Sequence, residues 1–226
     1  MQDNSSPFAN AEAVAAYRQN ALRNVPGLAD LHRMAMLLLA EQAAAAAHML
    51  IVGAGGGMEI GAMAEARPEW RFTGVDPSPA MLDLARQTVM LASDRVTLLD
   101  GTVDQAPAGP FDGATCLLTL HHIAASERLR TLREIRRRLK PGASLVIAGH
   151  SAPGPDPAQW MARSAAFSAR TEIDRESARA TGRLRVEHMQ LPSPAEQEEQ
   201  LRQAGFRDVA MFYAAFSFRG WVGIAG

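Results

Sequence analysis

A run of five small residues, Gly53-Ala54-Gly55-Gly56-Gly57, directly follows the apolar stretch His48-Met49-Leu50-Ile51-Val52. An apolar run of that length suits a strand buried on both faces. The glycines then let the backbone turn sharply, with no side chain in a ligand's way. Two acids stand in the same relation to later runs. Trp70 to Val75 ends at Asp76, and Arg95 to Leu99 ends at Asp100. Ligands of open α/β sheets bind beyond the carboxyl ends of the strands, so these groups converge on one crevice. Asp76 is placed there to bind two ribose hydroxyls, and Asp100-Gly101-Thr102 to meet an adenine ring. The competing role for Asp76, capping the helix that opens at Pro79, suits the adjacent Ser78 better. Asp112, after Phe111, is read as a structural residue at the start of a strand.

Two ligand classes fit such a constellation: a nicotinamide or flavin dinucleotide, and S-adenosylmethionine. The dinucleotide fingerprint G-x-G-x-x-G needs glycine at 58, where the chain has Met58. Gly53, Gly55 and Gly57 instead form G-x-G-x-G, without the longer turn that cradles a pyrophosphate.

The elements that must position these residues alternate along the chain. Two helices, 10–25 and 28–46, are separated at Val25-Pro26-Gly27. Strand 48–52 leads to a helical segment ending near Ala66. The strand ending at Asp76 leads to a helix 80–91 with Pro79 in its first turn. Strand 95–99 follows, then strand Phe111 to Leu118 and a helix 126–139 stopped by Pro141-Gly142. Strand 143–148 completes the series, and alternation of this kind predicts a parallel sheet with helices on both faces. Residues 156–181 read as helical without a following strand of the series. A helix 194–204 and two strands, 206–212 and 216–222, close the fold as an antiparallel hairpin. The expected organisation is a single domain, 1–226. It comprises a helical cap (8–46), a cofactor-binding core (47–149), a substrate-covering insertion (150–192), and a closing helix and hairpin (193–226).

Composition narrows the function classes. The 226 residues carry 23 basic and 24 acidic side chains, a formal net charge of −1, which removes the broad basic footprint of a nucleic-acid binder. One cysteine, Cys116, excludes an internal disulfide framework and a cysteine-built zinc site. Residues 1–10 lack the basic and apolar regions of a signal peptide, and 34–52 is too interrupted by polar residues to span a membrane. A cytoplasmic protein is expected. The basic count is 22 arginines and one lysine, Lys140. In 128–140, Leu129, Leu132, Ile135 and Leu139 recur at helical spacing, which sets the arginines on a solvated face. Arg163, Arg170, Arg175, Arg179, Arg183 and Arg185 lie in the insertion. They could hold an acidic substrate bidentately or pair with Glu172, Asp174 and Glu176. Trp160, Phe167 and Met189 could wall an acceptor pocket.

The motifs together resemble those of class I S-adenosylmethionine-dependent methyltransferases. They are Leu50 to Gly57, Gly74-Val75-Asp76-Pro77-Ser78-Pro79-Ala80-Met81-Leu82, Asp100-Gly101-Thr102, Phe111-Asp112-Gly113 through Leu120-His121-His122, and Leu139-Lys140-Pro141-Gly142. The resemblance implies a Rossmann-like fold: a seven-stranded, mostly parallel sheet with an antiparallel C-terminal strand and an N-terminal helical extension. It implies S-adenosyl-L-methionine as cofactor and S-adenosyl-L-homocysteine as product. Cofactor contacts would come from Gly53, Ala54, Gly55, Gly57, Asp76, Pro77, Met81, Asp100, Gly101, Thr102, Val103 and Leu117. One departure is Ile51, where the family usually has an acid that serves the methionine amino group.

Val25-Pro26-Gly27, Ala204-Gly205-Phe206 and Phe216-Ser217-Phe218 further resemble carboxy-S-adenosylmethionine synthases. Arg183 would then hold the extra carboxylate, while Leu28 and Leu117 replace that family's tyrosine and asparagine. The leading expectation is methyl transfer to a small-molecule acceptor, with making or using a carboxylated cofactor as the alternative. A non-catalytic cofactor-binding module is a third reading, supported by Ile51. His121 and His122 follow the fourth strand where an acceptor would sit. One could act as a base, or they could cap the next helix and shape the pocket wall. No catalytic residue is assigned and no metal site is expected. The expected partners are an acidic small molecule and a second copy in a homodimer, with no membrane or nucleic acid.

Overall fold

The computed structural model describes residues 16–169 and 174–226. The start of the first expected helix, Arg170 and Glu172 lie outside the described residues. The helices are α1 (Tyr17–Asn24), α2 (Leu28–Ala40), α3 (Met58–Ala66), α4 (Pro79–Thr88), α5 (Ala125–Arg138), α6 (Pro157–Ala169), α7 (Arg175–Met189) and α8 (Pro194–Gln203). The strands are β1 (His48–Val52), β2 (Arg71–Asp76), β3 (Val96–Asp100), β4 (Phe111–Leu117), β5 (Leu139–His150), β6 (Phe206–Ala215) and β7 (Phe218–Ala225). They form one sheet in the order β3-β2-β1-β4-β5-β7-β6. The β1, β2, β3, β4 and β5 neighbours pair in parallel, and β7 runs antiparallel to both β5 and β6.

Alternate residues of the central strands feed two cores. Met49, Ile51, Leu117 and Val146 pack with Leu31, Leu39, Ile60 and Met63 of α2 and α3. Leu50, Cys116, Leu145 and Ile147 pack on the other face with Leu132, Ile135 and Leu201 of α5 and α8. A strand buried on both sides reads as an unbroken apolar run for this reason.

The structure corrects several local expectations. Helix α2 stops at Ala40 rather than 46, because the Leu39 carbonyl accepts from both Gln42 N and Ala43 N and tightens the last turn. The alanines that follow are good helix formers, yet the chain must turn there to begin β1. Helix α4 ends at Thr88, and a 3-10 segment, Met90–Arg95, takes its place. Strand β5 begins at Leu139, directly after α5, so Pro141-Gly142 lies within the strand rather than between elements. Leu139 pairs with Phe111, and Lys140 Nζ reaches Asp112 Oδ1 at 2.5 Å. Asp112 Oδ2 also accepts from His48 N, so this acid ties the starts of three strands together.

The helical stretch expected over 156–181 is two helices, α6 and α7, packed against one another. Asp174 starts the second, its carboxylate accepting from Glu176 N and Ser177 N. The arginine face of α5 is only partly solvated, since Arg128 and Arg138 are 2% and 3% exposed. Arg138 donates to the carbonyls of Asp104, Ala106 and Glu134 and to the Glu134 carboxylate.

Candidate functional site

Strand order reverses between β1 and β4, and the glycine turn sits at that switch point. Gly53 N and Ala54 N both donate to Val75 O at 2.9 Å, which folds the turn back over β2. Gly53 has φ +77°, and a Cβ there would lie 2.0 Å from Thr119 Oγ1. Asp76, at the tip of β2, is 9% exposed. Its Oδ2 accepts from Gly55 N at 2.8 Å and its Oδ1 from Ser78 N at 2.9 Å. Burial raises the Asp76 pKa and these two N–H groups counter the rise. Ser78 Oγ accepts from Met81 N and is the cap of α4.

Asp100 lies level with Asp76 on β3 and is exposed. After Gly101, Thr102 caps the 3-10 turn Val103–Gln105, with its N–H on Gln105 Oε1 at 2.9 Å. Met81 and Val103 are buried beside these tips, while Pro77 is exposed. Such an end sets a carboxylate against a glycine turn between buried apolar groups, the few-polar, mostly apolar lining of a small-molecule crevice.

Two further residues at the other side of the turn were not singled out from sequence. Tyr17 of α1 lies across the glycines: a Cβ on Gly55 would be 3.2 Å from its hydroxyl and one on Gly56 3.0 Å from its ring. Burial first, then the charges of Glu59 and Asp76, push its pKa up to about 12. Glu59, in the first turn of α3, is 6% exposed and accepts a hydrogen bond from Thr115 Oγ1. Tyr17 and Glu59, with Leu28, His32, Gly53, Ala54, Met58, Leu117 and Leu118, surround a cavity of about 20 Å³. Leu118 takes φ +57°, a strained value for this residue at the end of β4. A larger crevice, about 570 Å³, lies outside α3 and shares His32 and Met58 with the small cavity.

Beyond β4, His121 and His122 meet a third histidine, His150, at the end of β5. Ring centroids of His121 lie 4.2 Å from His122 and 5.0 Å from His150. His150 stacks on Phe218 at 4.0 Å and shares a hydrogen bond with Ser217 Oγ through Nδ1 at 2.8 Å. Ser217 in turn joins Ser164 of α6 at 2.7 Å. Burial lowers the pKa of all three imidazoles, that of His150 to about 3, so they are neutral at pH 7. His150 escaped sequence reading because only strand pairing brings it to the other two. Among the described residues, no group of three or more His, Cys, Asp or Glu side chains could hold a metal ion.

The expected arginine cluster divides. Arg183 is exposed on α7, where its charge acts on Asp156, the ion-pair partner of Arg179. Arg185, two residues on, is the one whose charge reaches His150. Arg163 and Arg219 flank Trp160, at 4.3 and 5.9 Å from its ring centre. Arg128 of α5 donates to the carbonyls of Leu120, Ile123, Met189 and Gln190, tying the end of α7 to the histidine segment.

Residues 50–145 match the family described as methyltransferase domain. A carboxy-S-adenosyl-L-methionine synthase of Chromohalobacter salexigens is 24% identical over 217 residues, covering 93% of this chain and 80% of the relative. Among solved structures, a Haemonchus contortus phosphoethanolamine N-methyltransferase with S-adenosylhomocysteine superposes with TM-score 0.70 at 16% identity, over 96% of this chain and 57% of that one. A putative methyltransferase of Haloferax volcanii, in complex with its Trm112 activator, gives TM-score 0.65 at 22% identity over 97% of both chains. The chain spans about three fifths of the length of several matching structures. No helix is long and apolar enough to cross a membrane among the described residues. Taken with the glycine turn and the strand-tip acids, these likenesses give residues 50–145 the match of a methyltransferase domain and the whole chain the Rossmann-like fold of the methyltransferase structures.

Proposed function

We propose that this chain moves a methyl group from S-adenosylmethionine to a small acidic acceptor held beyond β4 and β5. The adjacency of Thr119 to Gly53 carries this reading, because it sets the histidine segment two residues from the glycine turn. When bound, the cofactor supplies a methyl group already activated by its sulfonium. Alignment and exclusion of water are then the protein's main tasks. Gly53 to Gly57 would accommodate the methionine end, Asp76 the ribose, and Asp100 to Val103 the adenine surroundings. His122, the most accessible of the three and neutral, can take a proton from an acceptor hydroxyl or amine, while His121 and His150 hold its neighbourhood. Arg185 offers the positive charge for an acidic group.

Calorimetric titration with S-adenosylhomocysteine tests the cofactor site. The wild-type protein should bind it, and Asp76→Ala should weaken binding tenfold or more, about 1.4 kcal/mol. Equal affinity in a folded variant would remove the ribose assignment.

A second reading, making or using a carboxylated cofactor, is favoured by the carboxy-S-adenosyl-L-methionine synthase relatives, which match along nearly the whole chain. The exposed position of Arg183 beside Asp156 weighs against it. Mass spectrometry of the ligand carried through purification separates the two. Methyl transfer to an acceptor predicts only S-adenosylmethionine or S-adenosylhomocysteine; a carboxylated species would favour the second reading.

A further inference from the structure

We propose that Glu59 receives the α-ammonium of the methionine portion of the cofactor, replacing from α3 the acid that β1 lacks at position 51. This rests on the cofactor reading above and assigns a binding residue within it.

The argument begins with strand register. Ile51 pairs with Thr115 in the parallel β1–β4 ladder, and register partners in a sheet point to the same face. Thr115 Oγ1 donates to the Glu59 carboxylate. The carboxylate is therefore anchored one strand away from residue 51, on the face that residue 51 occupies. It also borders the 20 Å³ cavity next to Gly53 and Ala54, where the methionine end of the cofactor is assigned.

The second observation is electrostatic. Glu59 forms no ion pair with any described residue, although it is only 6% exposed. A buried carboxylate without a cation is costly, and Thr115 supplies only one hydrogen bond against that cost. The start of α3 favours a negative charge only modestly, too little to balance full burial. Burial accordingly raises the Glu59 pKa to about 7, with the Thr115 bond acting the other way. An ammonium group entering the cavity would supply both the missing charge and N–H donors.

The surrounding titratable groups stay neutral near pH 7. Tyr17 is raised to about 12, Cys116 is raised by burial, and His32 is lowered to about 4. Asp76, whose charge also acts on Tyr17, is engaged by Gly55 N and Ser78 N. Cofactor binding near pH 7 should therefore release a proton from Glu59, and affinity should rise with pH through this range.

The test compares two ligands by calorimetry. S-adenosylhomocysteine carries the ammonium, whereas 5′-methylthioadenosine keeps the nucleoside and lacks the amino-acid end. Glu59→Gln, which can still accept from Thr115, should weaken S-adenosylhomocysteine at least tenfold and leave 5′-methylthioadenosine within twofold of wild type. Thr115→Val, which frees the carboxylate from its anchor, should move the two affinities in the same directions. Proton release, read from titrations in two buffers of different ionisation enthalpy, should vanish in Glu59→Gln. Unchanged S-adenosylhomocysteine affinity in Glu59→Gln overturns the assignment and leaves the cofactor site standing. Failure of both ligands to bind wild-type protein overturns the site itself.

Discussion

Arg128→Leu is expected to destabilise the protein by about 3–4 kcal/mol, a large loss for one side chain. The guanidinium is buried and donates to four carbonyls, two just after β4 and two at the end of α7. Leucine fills similar space yet removes the side-chain donor from all four, with Leu120 O retaining the Ile123 N–H. Each unsatisfied carbonyl costs about 1–3 kcal/mol before relaxation and partial rehydration reduce the sum. The denaturation midpoint should fall, and hydrogen exchange should quicken over the last turn of α7 and the segment 120–123. Arg128→Lys should recover only part of the loss, because an ammonium cannot span four acceptors as a planar fork does. A loss below about 1 kcal/mol would mean that water takes over the carbonyls and that Arg128 is not the tie between α7 and the histidines.

Gly53→Ala should be as damaging to binding as Arg128→Leu is to stability. Its φ of +77° is a left-handed value, and the new Cβ would stand 2.0 Å from Thr119 Oγ1 and 2.5 Å from its methyl group. Left-handed strain costs about 1 kcal/mol and overpacking adds about 1–3, so the expected loss is about 2–4 kcal/mol. Relief requires Thr119 or the turn to move, and either displaces the floor of the cofactor site. S-adenosylhomocysteine affinity should fall at least a hundredfold, about 2.7 kcal/mol. Gly142→Ala is the control for strain without collision, since its φ is +82° and nothing lies within 4 Å of the added carbon. It should cost about 1 kcal/mol and leave binding unchanged. Similar losses for the two variants would show that the Thr119 contact yields easily.

Much of the sheet was legible because β1 and the second half of β5 are buried on both faces and so appear as apolar runs. The glycine turn, Asp76 and the Ser78 cap were legible for a local reason: their chemistry is set by neighbours within a few residues. Tyr17, His150 and the Glu59–Thr115 contact depend on residues far apart in the chain, and no local pattern announces them. One signal was available for Glu59, the lone acid among Met58, Ile60, Ala62, Met63 and Ala64. Arg128 was misread although the helix stripe contained it. It stands four residues before Leu132 and seven before Ile135, on the side that packs inward. The end of α2 shows the opposite case, in which alanines favour helix locally and the return to β1 overrides them.

Strand β7 separates β5 from β6, two strands that precede it in the chain. During synthesis, which runs from N- to C-terminus, both therefore have an unpaired edge waiting for residues 218–225. In the finished sheet β5 and β6 do not touch as neighbours, because β7 is hydrogen-bonded between them. The nascent chain thus carries two sticky edges until its last sheet element is made. Conditions that slow translation near that point should raise aggregation rather than misfold the glycine turn, which is complete more than a hundred residues earlier.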